Sequence, residues 1–296
     1  MSAYTAAPRA RERLQRVIVT RPEPEATAWV QALQAEGWPS QALPLIEIAE
    51  PTDAATQQRL QQTRAHWLDA DAIMFVSAAA VQHFFSAAVQ APQASQAASV
   101  RTRFWAPGPG TARVLAQALA TRGLGAEHID APAADAVQFD SEALWPVVAP
   151  QLKPGQRILI VRGASQPAAA PSAPEPAAQA LAGNGRDWLI QQCQAAGAQV
   201  QACVAYERRA PPSTPALQAL LQSATASGSL WLFSSSEALV HLRGLAPAAV
   251  WTQASALATH PRIAATAIVT GFGRVMDTRP ALADVLLALE SNWSRP

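Results

Sequence analysis

At 296 residues the chain is long enough for about two domains, each with its own core. Half of its residues are apolar and 15% are charged, which excludes a chain disordered throughout. The net charge of +1 offers no global field for nucleic acid or an anionic membrane, and no run approaches the roughly 20 apolar residues that cross a bilayer. Residues 1–15 carry Arg9, Arg11 and Arg13 without the apolar core of a secretory signal, and read as a disordered tail. Val17 to Val19 is a short strand. Ala26 to Ala35 is a helix with Trp29, Val30 and Leu33 on one face, ended by Gly37. Leu43 to Ile48 is extended, because Pro44 cannot continue a helix. Thr56 to Leu68 reads as a polar helix, Ile73 to Val76 as a buried strand and Ala78 to Val89 as a helix. Phe104 to Ala106 is a strand, Thr111 to Thr121 a helix closed by Gly123, and Glu142 to Leu152 a helix. The alternation resumes at Arg157. It is interrupted by an Ala- and Pro-rich insertion at about 164–184, which buries too little to order itself. Val200 to Ala205 is a strand that Tyr206 ends. This βαβα order implies parallel sheets with helices on both faces.

The chain also repeats itself. Val17-Ile18-Val19-Thr20-Arg21, with a helix and Gly37 behind it, matches Ile158-Leu159-Ile160-Val161-Arg162, followed by Trp188, Cys193 and Gly197. Phe75-Val76-Ser77 matches Leu232-Phe233-Ser234, and Gly108-Pro109-Gly110-Thr111-Ala112-Arg113 matches Thr259-His260-Pro261-Arg262-Ile263-Ala264 more loosely. Each half thus looks like one small βα domain, and a duplicated pair is expected to frame one cleft.

In parallel sheets ligands bind beyond the carboxyl ends of the strands. The residues placed there are Thr20 and Arg21, Ser77, Gly108 to Thr111 (with Gly110), Arg162, Ser234 to Ser236 (with Ser235), and Thr259 to Arg262 (with His260). Hydroxyls, glycines and arginines at helix starts suit carboxylates or phosphates. Taken singly, Ser77, Thr111 and Ser234 are good N-caps and need no ligand. Their collective placement is what argues for a site. Five histidines show no i, i+4 pair and no CxxC accompanies them, so no metal is expected. There is no G-x-S-x-G elbow and no P-loop. Cys193 and Cys203 read as buried thiols, in keeping with a reducing cytoplasm. Such a chain is expected to act by holding a reactive substrate in shape, without a cofactor.

At this point the residues carry a resemblance to the uroporphyrinogen-III synthase family. It rests on Val19-Thr20-Arg21-Pro22, Leu43-Pro44-Leu45-Ile46, Phe75-Val76-Ser77 and Gly108 to Arg113. It continues through Val161-Arg162-Gly163, Gly185-Arg186-Asp187, Gly197-Ala198 and Ala205-Tyr206-Glu207-Arg208, and ends with Phe233-Ser234-Ser235 and His260 to Ala264. The order and spacing hold over about residues 16 to 290. Val76 and Phe233 stand where the family usually has threonine before the serine, and the insertion separates Gly163 from Gly185.

The resemblance implies two similar flavodoxin-like α/β domains with parallel sheets, joined by a two-stranded hinge. Domain one would be 16–47 with 209–296, and domain two 48–208. The implied reaction dehydrates and cyclises hydroxymethylbilane, a polycarboxylate, with inversion of the last pyrrole ring through a spiro intermediate. The product is uroporphyrinogen III of tetrapyrrole biosynthesis, and no cofactor is needed. The resemblance makes Tyr206 the leading residue to assist loss of the hydroxyl, from a solvated position at the cleft edge, and adds Arg186 to the substrate contacts. The implied partner is the small-molecule substrate in the cytoplasm, with no nucleic acid and no membrane; a transient contact with hydroxymethylbilane synthase is an open expectation. Two other readings stand beside it. A non-catalytic two-domain binder of small anions is disfavoured by the N-terminus, which is unlike a secretory signal. A regulatory flavodoxin-like module is disfavoured because no Asp-Asp pair marks a strand end.

Overall fold

A computed structural model describes residues 12–86, 89, 100–133, 136, 139–165 and 184–295. The chain opens with β1 (Glu12–Arg13), β2 (Arg16–Val19), α1 (Glu25–Ala35), β3 (Ser40–Ala42) and β4 (Glu47–Ala49). It continues with α2 (Ala54–Ala65), β5 (Ala72–Phe75), α3 (Ala78–Phe84), β6 (Arg103–Trp105), α4 (Pro109–Ala120) and β7 (Ile129–Asp130). Next come α5 (Ser141–Val148), β8 (Arg157–Ser165), α6 (Asn184–Ala195), β9 (Gln199–Arg209) and α7 (Pro215–Ser223). The last elements are β10 (Ser229–Phe233), α8 (Ser236–Leu245), β11 (Ser255–Ala258), α9 (Pro261–Thr270), β12 (Arg274–Asp277), α10 (Leu282–Asn292) and β13 (Trp293–Ser294).

These elements form two compact units. Unit 1 holds the described residues up to Glu47 and from Arg209 onward, and unit 2 those from Ile48 to Arg208. The sheet of unit 1 runs β12-β11-β10-β2-β3, with every pair parallel. That is the 2-1-3-4-5 order of flavodoxin-type sheets when its strands are counted along the chain. The sheet of unit 2 runs β4-β9-β8-β5-β6-β7, parallel from β9 to β7.

Laid side by side, the two orders explain the repeats. β2 and β8 hold equivalent places, as do β10 and β5, and β11 and β6. The repeated blocks therefore occupy matching positions, but the halves of the chain are interleaved between the units. Unit 1 takes its first block from the first half and its other two from the second, and unit 2 does the reverse. Neither half of the chain corresponds to one unit. The chain passes between units at Glu47–Ile48 and at Arg208–Arg209, on the neighbouring strands β4 and β9. There Arg209 donates to both oxygens of the Glu47 carboxylate, at 3.0 Å each, and holds it below the usual carboxylate range.

The central strands of each sheet, β2 and β10 in unit 1 and β5 and β8 in unit 2, are buried on both faces through most of their length, which is why they read as apolar runs. In β10, Leu230 and Leu232 face α1 and α10 with Val17, Val19, Leu33, Val285 and Leu289. Trp231 and Phe233 point the other way, stacked at 5.9 Å, and meet Trp251 and Phe272. In unit 2, Ile73, Phe75, Leu159 and Val161 pack with Phe84 and Leu115, while Met74, Ile158 and Ile160 pack with Leu144, Leu189 and Cys193.

Several expectations are corrected. Pro44 breaks the extended segment 43–48, leaving β3 and β4 as separate strands in different sheets. The polar helix stops at Ala65, and Trp67–Asp69 form a 3-10 turn that buries Trp67. Likewise α5 gives way at Val148 to a 3-10 turn, Ala149–Gln151. Tyr206 does not end its strand, since β9 runs on to Arg209. Ala164 and Ser165, assigned to the insertion, continue β8, and Asn184 opens α6; 166–183 lie outside the described residues. Residues 1–11 also lie outside them, but 12–15 are not a loose tail. β1 pairs in parallel with β13, and Leu14 is fully buried with Trp38 and Trp293 in the core of unit 1. Leu14→Ala is expected to destabilise the protein by about 3 kcal/mol in urea denaturation, as core truncations do. A shift under about 0.5 kcal/mol, the range of surface substitutions, would return residues 12–15 to the tail.

Candidate active site

The carboxyl edge of the unit 2 sheet brings together Ser77, Gly163, Tyr206 and His83. β5 ends at Phe75, and Ser77 turns the chain into α3 as its N-cap, with Oγ accepting from the Ala80 N–H at 3.1 Å. Beside β5 lies β8, and beside that β9. The β8–β9 register is regular through Val161↔Cys203 and Arg162↔Val204, then jumps to Gly163↔Tyr206. Ala205 is thus an extra residue, a β-bulge. Cys203, Ala205 and Tyr206 all join one core cluster, although strict alternation would put Ala205 and Tyr206 on opposite faces. The bulge turns Tyr206 onto the α3 side of the sheet, the kind of re-aiming that bulges provide.

Gly163 leaves room for that ring. A Cβ on it would lie 2.3 Å from Tyr206 Cε2 and 2.4 Å from Cζ. The phenol therefore lies across β8, and its hydroxyl reaches Ser77 Oγ at 3.2 Å. Tyr206 is 3% exposed, so its hydroxyl is not the solvated group expected from sequence. Ser77 Oγ already accepts an N–H from the first turn of α3, which leaves its own hydrogen free to be donated to the Tyr206 oxygen. A hydroxyl polarised by an upstream donor is a better donor itself. The Ala80 N–H, the Ser77 hydroxyl and the Tyr206 hydroxyl thus form one hydrogen-bonded chain at the start of α3. The His83 ring lies 5.6 Å from that of Tyr206, and burial lowers its proton affinity.

The other expected residues divide between the units. In unit 2, Arg162 is buried in β8, and alternation along that strand directs it away from Tyr206. Gly108, not Thr111, caps α4, and a Cβ on it would meet Phe139 Cβ at 2.8 Å. Gly110 sits in the first turn of α4 with open space beside it, and Thr111 is buried in that helix. Arg186 lies in α6, and its side chain is outside the described residues. In unit 1, Thr20 is buried and donates its hydroxyl to the Leu232 carbonyl at 2.8 Å, joining β2 to β10. Arg21 pairs with Glu25 at 3.1 Å and lies over Trp29 at 4.2 Å. Ser235, not Ser234, caps α8, accepting from the Glu237 N–H at 3.2 Å. His260 caps α9, its Nδ1 accepting from the Arg262 N–H at 3.1 Å, and both side chains are exposed.

Sequence reasoning named Gly163 only as part of a motif and counted His83 only among histidines without a metal pattern. Neither signal was strong, because a close approach and a ring contact depend on the bulge. Among the described residues no group of three His, Cys, Asp or Glu could hold a metal, and no helix is long and apolar enough to cross a membrane. Cys193 and Cys203 are buried and free; burial pushes the Cys193 thiol up to about 11 and raises that of Cys203. Neither is poised as a thiolate nucleophile.

The family model described as uroporphyrinogen-III synthase HemD matches residues 27–286. No protein of curated function matches the chain. Solved structures that resemble it include a mutant uroporphyrinogen III synthase from the extremely thermophilic bacterium Thermus thermophilus, at 16% identity, covering 94% of this chain and 98% of that one with a TM-score of 0.47. A further structure of the Thermus thermophilus uroporphyrinogen III synthase matches at 14% identity, 94% and 98% coverage and a TM-score of 0.34. With the family model spanning most of its length, the chain belongs to the uroporphyrinogen-III synthase family.

Proposed function

We propose that the chain carries out the family's dehydration and cyclisation of hydroxymethylbilane with Tyr206 as the acid. The observation that carries this is the Tyr206 hydroxyl, turned onto Gly163 by the bulge and hydrogen-bonded to the capped Ser77. Departure of the substrate hydroxyl as water needs one proton, which Tyr206 donates. The pyrrole nitrogen supplies the electron pair that expels the hydroxyl, leaving a reactive azafulvenium cation beside the phenolate. Ser77 then donates to the phenolate oxygen until the proton lost on ring closure returns to it. The acid contribution is modest, because the leaving group departs readily. Closure through the spiro intermediate is a matter of holding the reacting carbons near one another, which is where most of the barrier is met.

Within unit 2, which carries Tyr206, a substrate carboxylate suits the open first turn of α4 at Gly110. Ser77 is committed to the cap of α3 and to Tyr206, so its part is to shape the site in unit 2, while Thr20 and Arg21 are committed to contacts within unit 1. In this reading the two units are the family's two domains and β4 with β9 is their hinge. The enzyme works in the cytoplasm, and a transient contact with hydroxymethylbilane synthase would limit loss of the unstable bilane.

Purified protein given enzymatically made hydroxymethylbilane, without metal or nucleotide, is expected to yield the type III isomer by chromatography; type I alone would overturn the reading. In the same assay Tyr206→Phe is expected to lower the rate by about 10- to 100-fold, with the product still type III. Because that hydroxyl is buried and bonded, stability should fall by about 1 kcal/mol.

Gly163→Ala tests the geometry. The added methyl displaces the Tyr206 ring, so kcat is expected to fall by about tenfold or more, with about 1–3 kcal/mol of overpacking in denaturant melts. Added to Tyr206→Phe it should cost little further rate, since both act on one hydroxyl. Full additivity would mean that Gly163 acts elsewhere.

A further inference from the structure

His83 is not used in the reaction as derived, yet it stands beside the group that is. It lies on α3, the helix that Ser77 caps, with its ring centroid 5.6 Å from that of Tyr206 and the planes 35° apart. Its Nδ1 is buried without a hydrogen-bond partner. Buried polar atoms are nearly always satisfied, and an exception calls for an explanation.

The backbone around it is clamped. The Arg64 guanidinium on α2 donates to the His83 carbonyl and, through Nε at 2.8 Å, to the Phe84 carbonyl. The Ser86 hydroxyl donates to the His83 carbonyl at 2.8 Å. The end of α3 is thereby fixed, and the imidazole is held against the phenol. A neutral imidazole can leave one nitrogen as a bare acceptor, whereas the cation carries two N–H donors and would bury one of them unpaired. The charged groups facing it are Arg64 on α2 and Glu50, which follows β4. Burial lowers its proton affinity most, Glu50 opposes that, and Arg64 adds to it.

We propose that His83 is a positioning residue for Tyr206: its neutral ring lies along the phenol and keeps it over Gly163 with the hydroxyl on Ser77, and protonation releases that arrangement. This rests on the reading of Tyr206 as the acid. Charging the ring strands an N–H beside Arg64, so the imidazolium turns toward water and the phenol loses its support. The sign follows from burial. The unfolded chain takes up this proton near pH 6.5 and the folded chain only at lower pH. Stability contributed by the neutral ring is therefore present above pH 6.5 and is lost as pH falls below it, toward the folded value.

The protein contains two tyrosines, Tyr4 and Tyr206, so tyrosine labelled with carbon-13 at the ring carbon bearing oxygen gives two signals that Tyr206→Phe assigns. The Tyr206 signal is expected to move along with the His83 imidazole as pH is lowered, and to lose that movement in His83→Phe. In the isomer assay, His83→Ala is expected to lower kcat by about 5- to 20-fold with KM within about twofold, and His83→Phe to recover most of the loss. In the Tyr206→Phe background His83→Ala should add less than about twofold. A pH-dependent Tyr206 signal that persists in His83→Phe, or an undiminished effect of His83→Ala in that background, would overturn the proposal. Should His83→Ala fail to fold, the comparison of wild type with His83→Phe decides. Formation of type I alone would sink the catalytic reading while leaving the ring coupling intact, so the two failures are distinguishable.

Discussion

A parallel sheet buried on both faces leaves its strands no interior place for a polar group except in partnership. In the central strands β10 and β5 that constraint keeps the interior apolar and gathers polar side chains just past the strand ends. After its first residue, Ser229, β10 is apolar from Leu230 to Phe233, and Ser234 and Ser235 follow at once. β5 behaves alike, with Val76 and Ser77 after Phe75. The helix starts then draw these residues in as caps, because the first turn of every helix has N–H groups to satisfy. Position at the carboxyl edge and service as a cap are thus two consequences of one burial pattern. The same serine can satisfy a helix and face a ligand.

The bulge in β9 departs from that pattern. An extra residue, Ala205, costs a regular ladder step but turns Tyr206 from one face of the sheet to the other. The turn succeeds only because the neighbouring strand offers Gly163, which has no Cβ to block the ring. Ser77, fixed by its own helix, then meets the hydroxyl. The three residues come from three strands or their ends, and none of them makes the site alone. The glycine is required here by a close approach and not by its backbone angles.

The interleaving of the two halves has a physical reading as well. Both sheets keep one spatial order while the chain enters them at different strands. A parallel sheet tolerates this because each strand is connected to the next by a covering helix, so the order of strands is set by packing and the entry point is free. The consequence is a chain that crosses twice between units, at Glu47 and Arg209, whose ion pair ties the two crossing strands together.

The sequence by itself determined the parts that depend on local rules. Apolar runs marked the strands, Gly37 and Gly123 marked helix ends with positive φ, the repeated blocks showed the duplication, and the ordered motifs from Val19 to Ala264 carried the family resemblance. The nine-residue β8 and the burial of Leu14 were not legible, since both depend on partners distant in the chain: Tyr206 to Arg208 for the one, Trp38 and Trp293 for the other. Ser234 and Ser235 are adjacent and equally good caps, and the folded chain, in which α8 starts at Ser236, chose Ser235. Thr20 and Arg21 look like ligand residues in sequence, but the structure gives the Thr20 hydroxyl to Leu232 and the Arg21 guanidinium to Glu25 and Trp29. The contact of Tyr206 with Gly163, Ser77 and His83 was decided by tertiary structure alone. A one-residue change of register reverses the face of a side chain, and register belongs to the pairing of two strands, not to either one.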